Sequence, residues 1–501
     1  MEEKYIISID QSTQGTKAML FDENGTLLLR EDLPHRQIIN EQGFVSHDPE
    51  EIYRNVIGVV GSLLDHADID RSKVCGVGIS NQRETTLIWD RKTGKPAADA
   101  IVWQCSRAKK ISEAHEAMGH GDKILEKTGL KLSPYFPASK LEWMLENIEG
   151  LSERESRREL CMGTIDTWLV YRLTGGQSYK TDYSNASRTQ LFNIRDLRWD
   201  EELCGWFGIH TESLPEVCDS DSCFGWTDFE GAFEHPVPIH GVLGDSHAAL
   251  FGQGCVAPGM IKATYGTGSS VMMNVGDKPV FGRSGVVASL AWKMQGQVQY
   301  VLEGNINYTG AVVSWLKDEM NMVSDPGETE CLCREAEQDD ELYFVPAFTG
   351  LGAPYWNSQA KGILCGITRT TGRKETVRAG VESIAYQIRD IVDAMVADIE
   401  FNKHSGNMDL DSALELRVDG GPTKNSYLMQ FQSDILGKCV SVSQAEEMSG
   451  IGAACAAGIA LGVYDSKIID KIRRKQFAPK MDKSLRAEKY AGWKNAVGMI
   501  L

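Results

Sequence analysis

The feature that most restricts this chain is a strand–turn–strand unit that occurs twice. The run YIISID at 5–10 ends in a carboxylate, enters the polar turn Gln11-Ser12-Thr13-Gln14-Gly15-Thr16, and leaves through Ala18-Met19-Leu20-Phe21. A related order returns at 260–265, with the turn Gly266-Thr267-Gly268-Ser269 and the run VMMNV at 271–275. Gln11 and Gly266 are 255 positions apart in a chain of 501. Short apolar runs joined by small polar residues are hairpin grammar, and its repetition at half-length predicts two halves of one plan with a cleft lined by the two turns.

Between the turns, strand-like runs alternate with amphipathic stretches. Residues 74–79 and 87–89 read as strands, and 50–64 and 139–147 as helices. In the second half, 374–399 has helical spacing, 414–418 is a strand running into Asp419-Gly420-Gly421, and 451–461 is a helix of small residues. Mixed α/β domains follow. Gly252, Gly254 and Pro258-Gly259 cluster near mid-chain, which places the boundary so that residues 1–253 form one domain and 254–501 the other. The charged tail 467–489 reads as a solvated helix or loop.

Charge narrows the partners. A net charge of -18 repels phosphate backbones over most of the surface, which argues against nucleic acid and for small molecules bound locally. The sequence has no long apolar span and begins without the pattern of a signal peptide, so the expectation is a cytoplasmic protein with no membrane association. Its 12 cysteines are scattered through apolar runs and read as buried thiols. Cys331 and Cys333 lack the spacing of a zinc site.

Each of the two turns is either an ordinary hairpin or a device that aims backbone N–H groups at an anion. Their pairing, with Asp10 at a strand end where it can hold a metal ion, favours the second reading. A P-loop is excluded, because no GxxxxGK[ST] sequence occurs. Arg83 and Glu84 follow a buried strand, where adjacent opposite charges suit either the hydroxyls of a polyol or a surface ion pair. Trp103 and Tyr135 suit either a sugar's C–H face or the core. Asp245 precedes an apolar helix as an N-cap or a general base, and His247 reads as structural.

With these residues in view, the chain resembles the FGGY carbohydrate kinases, closest to the glycerol kinases, from end to end. The segments that carry the likeness include ISNQRETT (79–86), AIVWQ (100–104), LSPYFPASK (132–140), TDYSNASRT (181–189), GDSHAALFGQG (244–254), TYGTG (264–268) and RVDGG (417–421). The resemblance implies two actin/hexokinase-like ATPase domains related by duplication, closing on a cleft. It also implies ATP and Mg²⁺, with Asp245 as catalytic base and Asp10 near the metal. Arg83, Glu84, Trp103, Tyr135, Asp245, Ser246 and Ser270 then fall at the acceptor. Thr13, Gln14 and Lys17 fall in the first phosphate loop, Gly266, Thr267 and Gly268 in the second, and Gly310, Gly421 and Asn425 beside the nucleotide.

Departures from the family pattern concentrate on the acceptor side. Ser246 stands where glycerol kinases usually have Gln, and Ser270 where they have an aromatic residue. Cys105 replaces an acidic residue, and Lys17 replaces Arg. Shorter side chains at 246 and 270 predict a larger, wetter pocket. The expected activity is ATP-dependent phosphorylation of a terminal hydroxyl of glycerol or a somewhat longer polyol. The alternatives are a kinase for a four- or five-carbon sugar or ketose, such as xylulose or ribulose, and a catalytically inactive nucleotide-binding scaffold or sensor. Partners are the small-molecule acceptor and ATP, with a homo-oligomer left open.

Overall fold

A computed structural model describes residues 3–337, 341–402 and 414–501. Both turns sit where two strands of a sheet fold back on each other. Strands Tyr5–Gln11 and Gly15–Phe21 pair antiparallel with Asp10 opposite Lys17, so the first turn narrows to residues 12–14. Strands Met260–Tyr265 and Ser269–Gly276 pair the same way, with Thr264 opposite Ser270.

Each hairpin is the centre of a larger sheet built on one plan. In the first half the order is Gly225–Thr227, Val237–Gly244, Val74–Asn81, Tyr5–Gln11, Gly15–Phe21, Leu27–Pro34. In the second it is Arg474–Phe477, Val440–Ser443, Glu415–Asp419, Met260–Tyr265, Ser269–Gly276, Gln297–Ile306, Val287–Met294. Both have two parallel strands on one side of the first strand and antiparallel strands on the other. Ligand sites in such sheets lie beyond the carboxyl ends of the parallel strands. Those ends carry Asp10, Asn81 and Gly244 in one half, and Tyr265 and Asp419 in the other.

A five-stranded sheet inserted in the first half, ordered Ile38–Ile39, Val45–His47, Ala100–Ile101, Thr86–Asp90, Leu160–Thr164, brings in the segments that carry Arg83, Glu84 and Trp103. Tyr135 lies just before helix Pro137–Asn147, whose first position is a proline, as its preset φ favours.

The halves meet through helices Asp245–Gly252 and Met448–Ala460, which pack closely. The second is made almost entirely of small residues, and its backbone rests directly on its neighbours. A Cβ at Gly452 would run into the Ala248 carbonyl, and one at Gly252 would stand 2.5 Å from the Met448 carbonyl. Around this crossing a shared core joins Ile6, Met19 and Leu243 from the first half to Met272, Val301 and Ala454 from the second.

The charged tail 467–489, read as a solvated helix or loop, is mostly exposed, with Ile468 and Ile469 buried and one edge strand that the reading did not expect. A short 3₁₀ turn, Ser466–Lys471, is followed by edge strand Arg474–Phe477 and then by helix Lys483–Gly498. Trp493 of that helix is buried, stacks on Tyr386 at 5.2 Å and donates its indole N–H to Asp390 at 2.8 Å. Sparse apolar residues in a charged helix were enough to anchor it.

Replacing Gly452 with Ala forces overpacking where two backbones touch, and should cost about 1–3 kcal/mol of stability in urea unfolding. An unchanged midpoint would show that the helices do not meet at this residue.

Candidate active site

The first turn is held by its own polar groups. The Ser12 amide donates to the Gly15 carbonyl at 2.8 Å, and the Ser12 hydroxyl donates to the same oxygen at 3.1 Å. Thr13 is tied to Trp103, because its Oγ1 accepts from the Trp103 indole at 2.9 Å. Gln14 is exposed. Lys17 is paired across the halves, its ammonium 2.7 Å from Glu447.

Asp10 is 6 % exposed and accepts from the Ser80 hydroxyl at 2.9 Å. Burial pushes its carboxyl up to about 6 against the opposing pull of Lys17, and the Asp245 charge adds to the rise. The Asp10 carboxylate offers hard oxygen donors with the Asp245 charge in electrostatic reach, which suits a divalent cation completed by phosphate oxygens and water.

Arg83, Glu84 and Asp245 come together with two residues that sequence reading did not single out, Arg188 and Glu303. Both terminal guanidinium nitrogens of Arg83 donate to Glu303, at 2.9 and 2.8 Å, and its Nε donates to Asp245 Oδ1 at 3.1 Å. Arg188 donates to Glu84 at 2.5 Å and lies 2.9 Å from Glu303. Burial alone would raise the Glu303 carboxyl, but Arg188 and Arg83 outweigh it and hold that group well below the carboxylate range. Glu84 sits at a φ of 59°, a strained position for a side-chain-bearing residue.

Asp245 is the first residue of its helix and Gly244 the cap, so the N-cap reading of Asp245 is corrected. Its Oδ1 takes both the Arg83 contact and the Ser246 amide, the latter at 2.5 Å, which leaves Oδ2 as the oxygen available for a proton. His247 is fully buried, 3.4 Å from the Ser289 hydroxyl, and burial holds it well below the usual imidazole range. Trp103 and Tyr135 form a corner, with ring centroids 5.6 Å apart and planes tilted by 58°. Ser270 reaches Glu303 Oε1 at 3.5 Å, and Ser246 adjoins Asp245, so both shortened side chains border this cluster. Cys105 is set apart, with its Sγ accepting from Arg107 and from the Val45 amide.

In the second half, a cavity of about 470 Å³ gathers Gly310, Gly421 and Asn425 with the apolar walls Val381, Ile384 and Leu428. Asn425 caps helix Ser426–Leu436 through the Leu428 amide at 2.9 Å, and donates to Thr329 at 3.1 Å. Gly310 begins helix Gly310–Asp318 and donates its amide to the Gly266 carbonyl at 2.9 Å. A Cβ on Gly310 would stand 2.8 Å from that same carbonyl, so a side chain is excluded there. The Thr267 carbonyl accepts from the Thr309 and Ala311 amides, at 2.9 and 3.0 Å. Thr267 and Gly266 are exposed at this junction, and Gly268 is half-buried. Cavity and second turn are therefore contiguous.

Lys262, from the strand that enters the second turn, also escaped sequence reading. It is fully buried and depressed by that burial, with Asp419, Asp245, Glu303 and Arg83 all within electrostatic reach. A lysine inside an apolar strand is the signal that would have exposed it.

Two family models cover most of the chain: the N-terminal domain of the FGGY family of carbohydrate kinases over residues 5–252, and its C-terminal domain over 261–461. Glycerol kinase 1 of Thermotoga maritima is 45% identical over 99% of both chains, and the glycerol kinase of Carboxydothermus hydrogenoformans is 43% identical over 99% of this chain and 98% of its own. A crystal structure of Plasmodium falciparum glycerol kinase with ADP superposes with a TM-score of 0.92 at 35% identity, covering 100% of this chain and 98% of the other. A gluconate kinase structure from Lactobacillus acidophilus shares the fold, with a TM-score of 0.86 at 21% identity.

The raised Asp10 carboxyl makes a pH-dependent prediction. Unfolded, the group ionises at its ordinary value of 3.8; folded, it ionises at about 6, so above that pH the native state carries an unfavourable buried charge. In metal-free protein, Asp10→Asn should stabilise by on the order of 2 to 3 kcal/mol at pH 8, and by roughly half of that at pH 5. Equal effects at both pH values, in thermal unfolding, would contradict the assignment.

Proposed function

Because this chain belongs to the FGGY family of carbohydrate kinases, we propose that it transfers the γ-phosphoryl group of ATP to a terminal hydroxyl of glycerol or a somewhat longer polyol. The observation that carries the acceptor half of this reading is the contact between Arg83 and Asp245 beside the Trp103–Tyr135 corner. Two aromatic faces suit the C–H side of a polyol, while Arg83 and Glu84 suit its hydroxyls. The cavity around Gly310, Gly421 and Asn425 supports the nucleotide half, since its apolar walls match a purine and it opens beside the second turn. We divide the chain accordingly, with the acceptor and first turn in residues 1–253 and the nucleotide in 254–501.

In this reading the acceptor hydroxyl lies against Asp245 with its oxygen facing the γ-phosphorus. Asp245 Oδ2 takes the hydroxyl proton as the new O–P bond forms. The bond from phosphorus to the β–γ bridging oxygen breaks, and ADP leaves with that electron pair. Arg83 fixes Asp245 through Oδ1, which keeps Oδ2 directed by geometry rather than by chance. Thr13, Gln14 and Lys17 line the first phosphate turn, and Gly266, Thr267 and Gly268 the second. Asp10 would hold Mg²⁺, directly or through water, and the bound ion would neutralise phosphate charge as it shifts during transfer. Closure of the halves excludes water as a competing acceptor.

Ser246 and Ser270 favour a wider acceptor range than glycerol alone. Both border the charged cluster and neither presents an apolar wall.

ADP release with glycerol, erythritol, threitol, xylulose and ribulose under identical conditions tests the acceptor. Efficiency with at least one longer acceptor should match or exceed that with glycerol, and a glycerol preference above roughly tenfold, about 1.4 kcal/mol, overturns the widened pocket. Ser270→Phe should move the ratio toward glycerol by about 1–3 kcal/mol, and a ratio that stays put removes position 270 from chain-length selection. Asp245→Asn should lower kcat by about 10²- to 10⁴-fold while ADP affinity by calorimetry is unchanged; wild-type rates in the variant would remove Asp245 as base.

A further inference from the structure

Helix Pro137–Asn147 buries a lysine that, among the described residues, has no carboxylate within hydrogen-bond reach. Lys140 is 0 % exposed, and its ammonium donates to three main-chain carbonyls: Tyr135 at 2.5 Å, Glu84 at 3.3 Å and Trp103 at 3.3 Å. An ammonium has three N–H donors, and each here finds one oxygen. The three oxygens come from three separate segments. Glu84 lies between strands Val74–Asn81 and Thr86–Asp90, Trp103 follows strand Ala100–Ile101, and Tyr135 precedes the helix that carries Lys140 itself. These three residues are among those placed around the acceptor above.

We propose that Lys140 is the positioning residue of the acceptor site, with one buried ammonium clamping the Glu84, Trp103 and Tyr135 main chains into the arrangement that presents their side chains to the polyol. This rests on the reading of those side chains as acceptor contacts. The clamp explains how Glu84 keeps its left-handed backbone. Its side chain is held by Arg188, and its carbonyl by Lys140, so the strained residue is fixed from both ends. It also explains the tilted corner of Trp103 and Tyr135, whose main chains share one donor group.

The chemistry of the clamp sets a pH response. Burial brings Lys140 down to about 7, with the Glu84 charge favouring the ammonium and Arg107 opposing it. The ionisable groups facing it are Glu84, Cys105 and Arg107, from the segments packed around the helix. The neutral amine has two donors for three carbonyls, so a buried oxygen is left without a partner when the proton is lost. Acceptor binding should weaken as pH rises through that range, while nucleotide binding at the cavity around Gly310, Gly421 and Asn425, which Lys140 does not touch, stays level.

The test compares the full-length wild type with Lys140→Met and Lys140→Arg, in steady-state kinetics from pH 6 to 9 and in hydrogen exchange by mass spectrometry. Lys140→Met should raise the acceptor KM at least tenfold at pH 7, leave kcat within about threefold, and leave the KM for ATP unchanged. Lys140→Arg keeps its charge throughout this range, so it should retain most of the acceptor affinity and lose the pH-dependence of KM. If Lys140→Met fails to fold, Lys140→Arg decides alone by that loss. Exchange should rise in all three segments, 83–86, 102–105 and 133–138, in Lys140→Met and stay level at 421–430. Acceptor and ATP KM rising together, an unchanged acceptor KM, or unchanged exchange in the three segments would each overturn the inference. A wild type that phosphorylates neither polyol nor ketose defeats the kinase reading instead, and the exchange pattern then decides by itself whether Lys140 clamps these segments.

Discussion

Four buried side chains, Arg83, Glu84, Arg188 and Glu303, hold one another where water is excluded, and the rest of the site is arranged around them. Each is 6 % exposed or less. Taking such charges out of water is expensive, and only bidentate or saturated pairing returns the cost. Arg83 meets that demand with two bonds to Glu303 and a third to Asp245. Three of the four belong to the first half, Arg83 and Glu84 after strand Val74–Asn81 and Arg188 after the short helix Tyr183–Ala186, while Glu303 lies on strand Gln297–Ile306 of the second. The cluster is thus the point at which the orientation of one half is dictated by charge on the other.

Neighbouring carboxyl groups in this cleft are driven in opposite directions, and that separates their uses. Glu303, saturated by guanidinium groups, remains an anion that fixes Arg83. Asp10, buried with only a hydroxyl and an offset lysine for company, holds its proton up to about 6 and has spare oxygen for a cation. Environments that push like groups apart are how a single fold assigns different tasks to identical functional groups. On the proposed reading a chain of net charge -18 can still hold a polyphosphate, because repulsion is spread over the surface while the small-residue turns at 12–14 and 266–268 offer backbone amides locally.

Much of this was legible before any coordinates. Both hairpins, the long helix Arg373–Phe401 and the small-residue helix Met448–Ala460 follow from apolar spacing, because local pattern and final burial agree there. Asp10, Arg83, Glu84 and Asp245 stand at strand ends, where polarity interrupts an apolar run. Glu303 did not show itself, since a carboxylate in a strand reads as a solvent-facing position until its two arginine partners are known. Arg188 and Lys140 lie inside TDYSNASRT and LSPYFPASK, but Arg188 meets Glu84 104 residues away and Lys140 meets Trp103 and Glu84 37 and 56 residues away, beyond any local pattern. Trp493 was hidden for a related reason, because one aromatic residue among charges gives no periodic signal.

Glu303's position across the boundary has an evolutionary consequence. Were the two halves to be shuffled between relatives, the incoming partner would have to bring a carboxylate at this one strand position, or strand two guanidinium groups in a dry interior. Duplication made the halves alike, but this contact has made them mutually dependent. If Ser246 and Ser270 shape the acceptor pocket as proposed, preference is free to drift there, since their neutral side chains border the cluster without completing its charge balance, while the two halves must be inherited as a single piece.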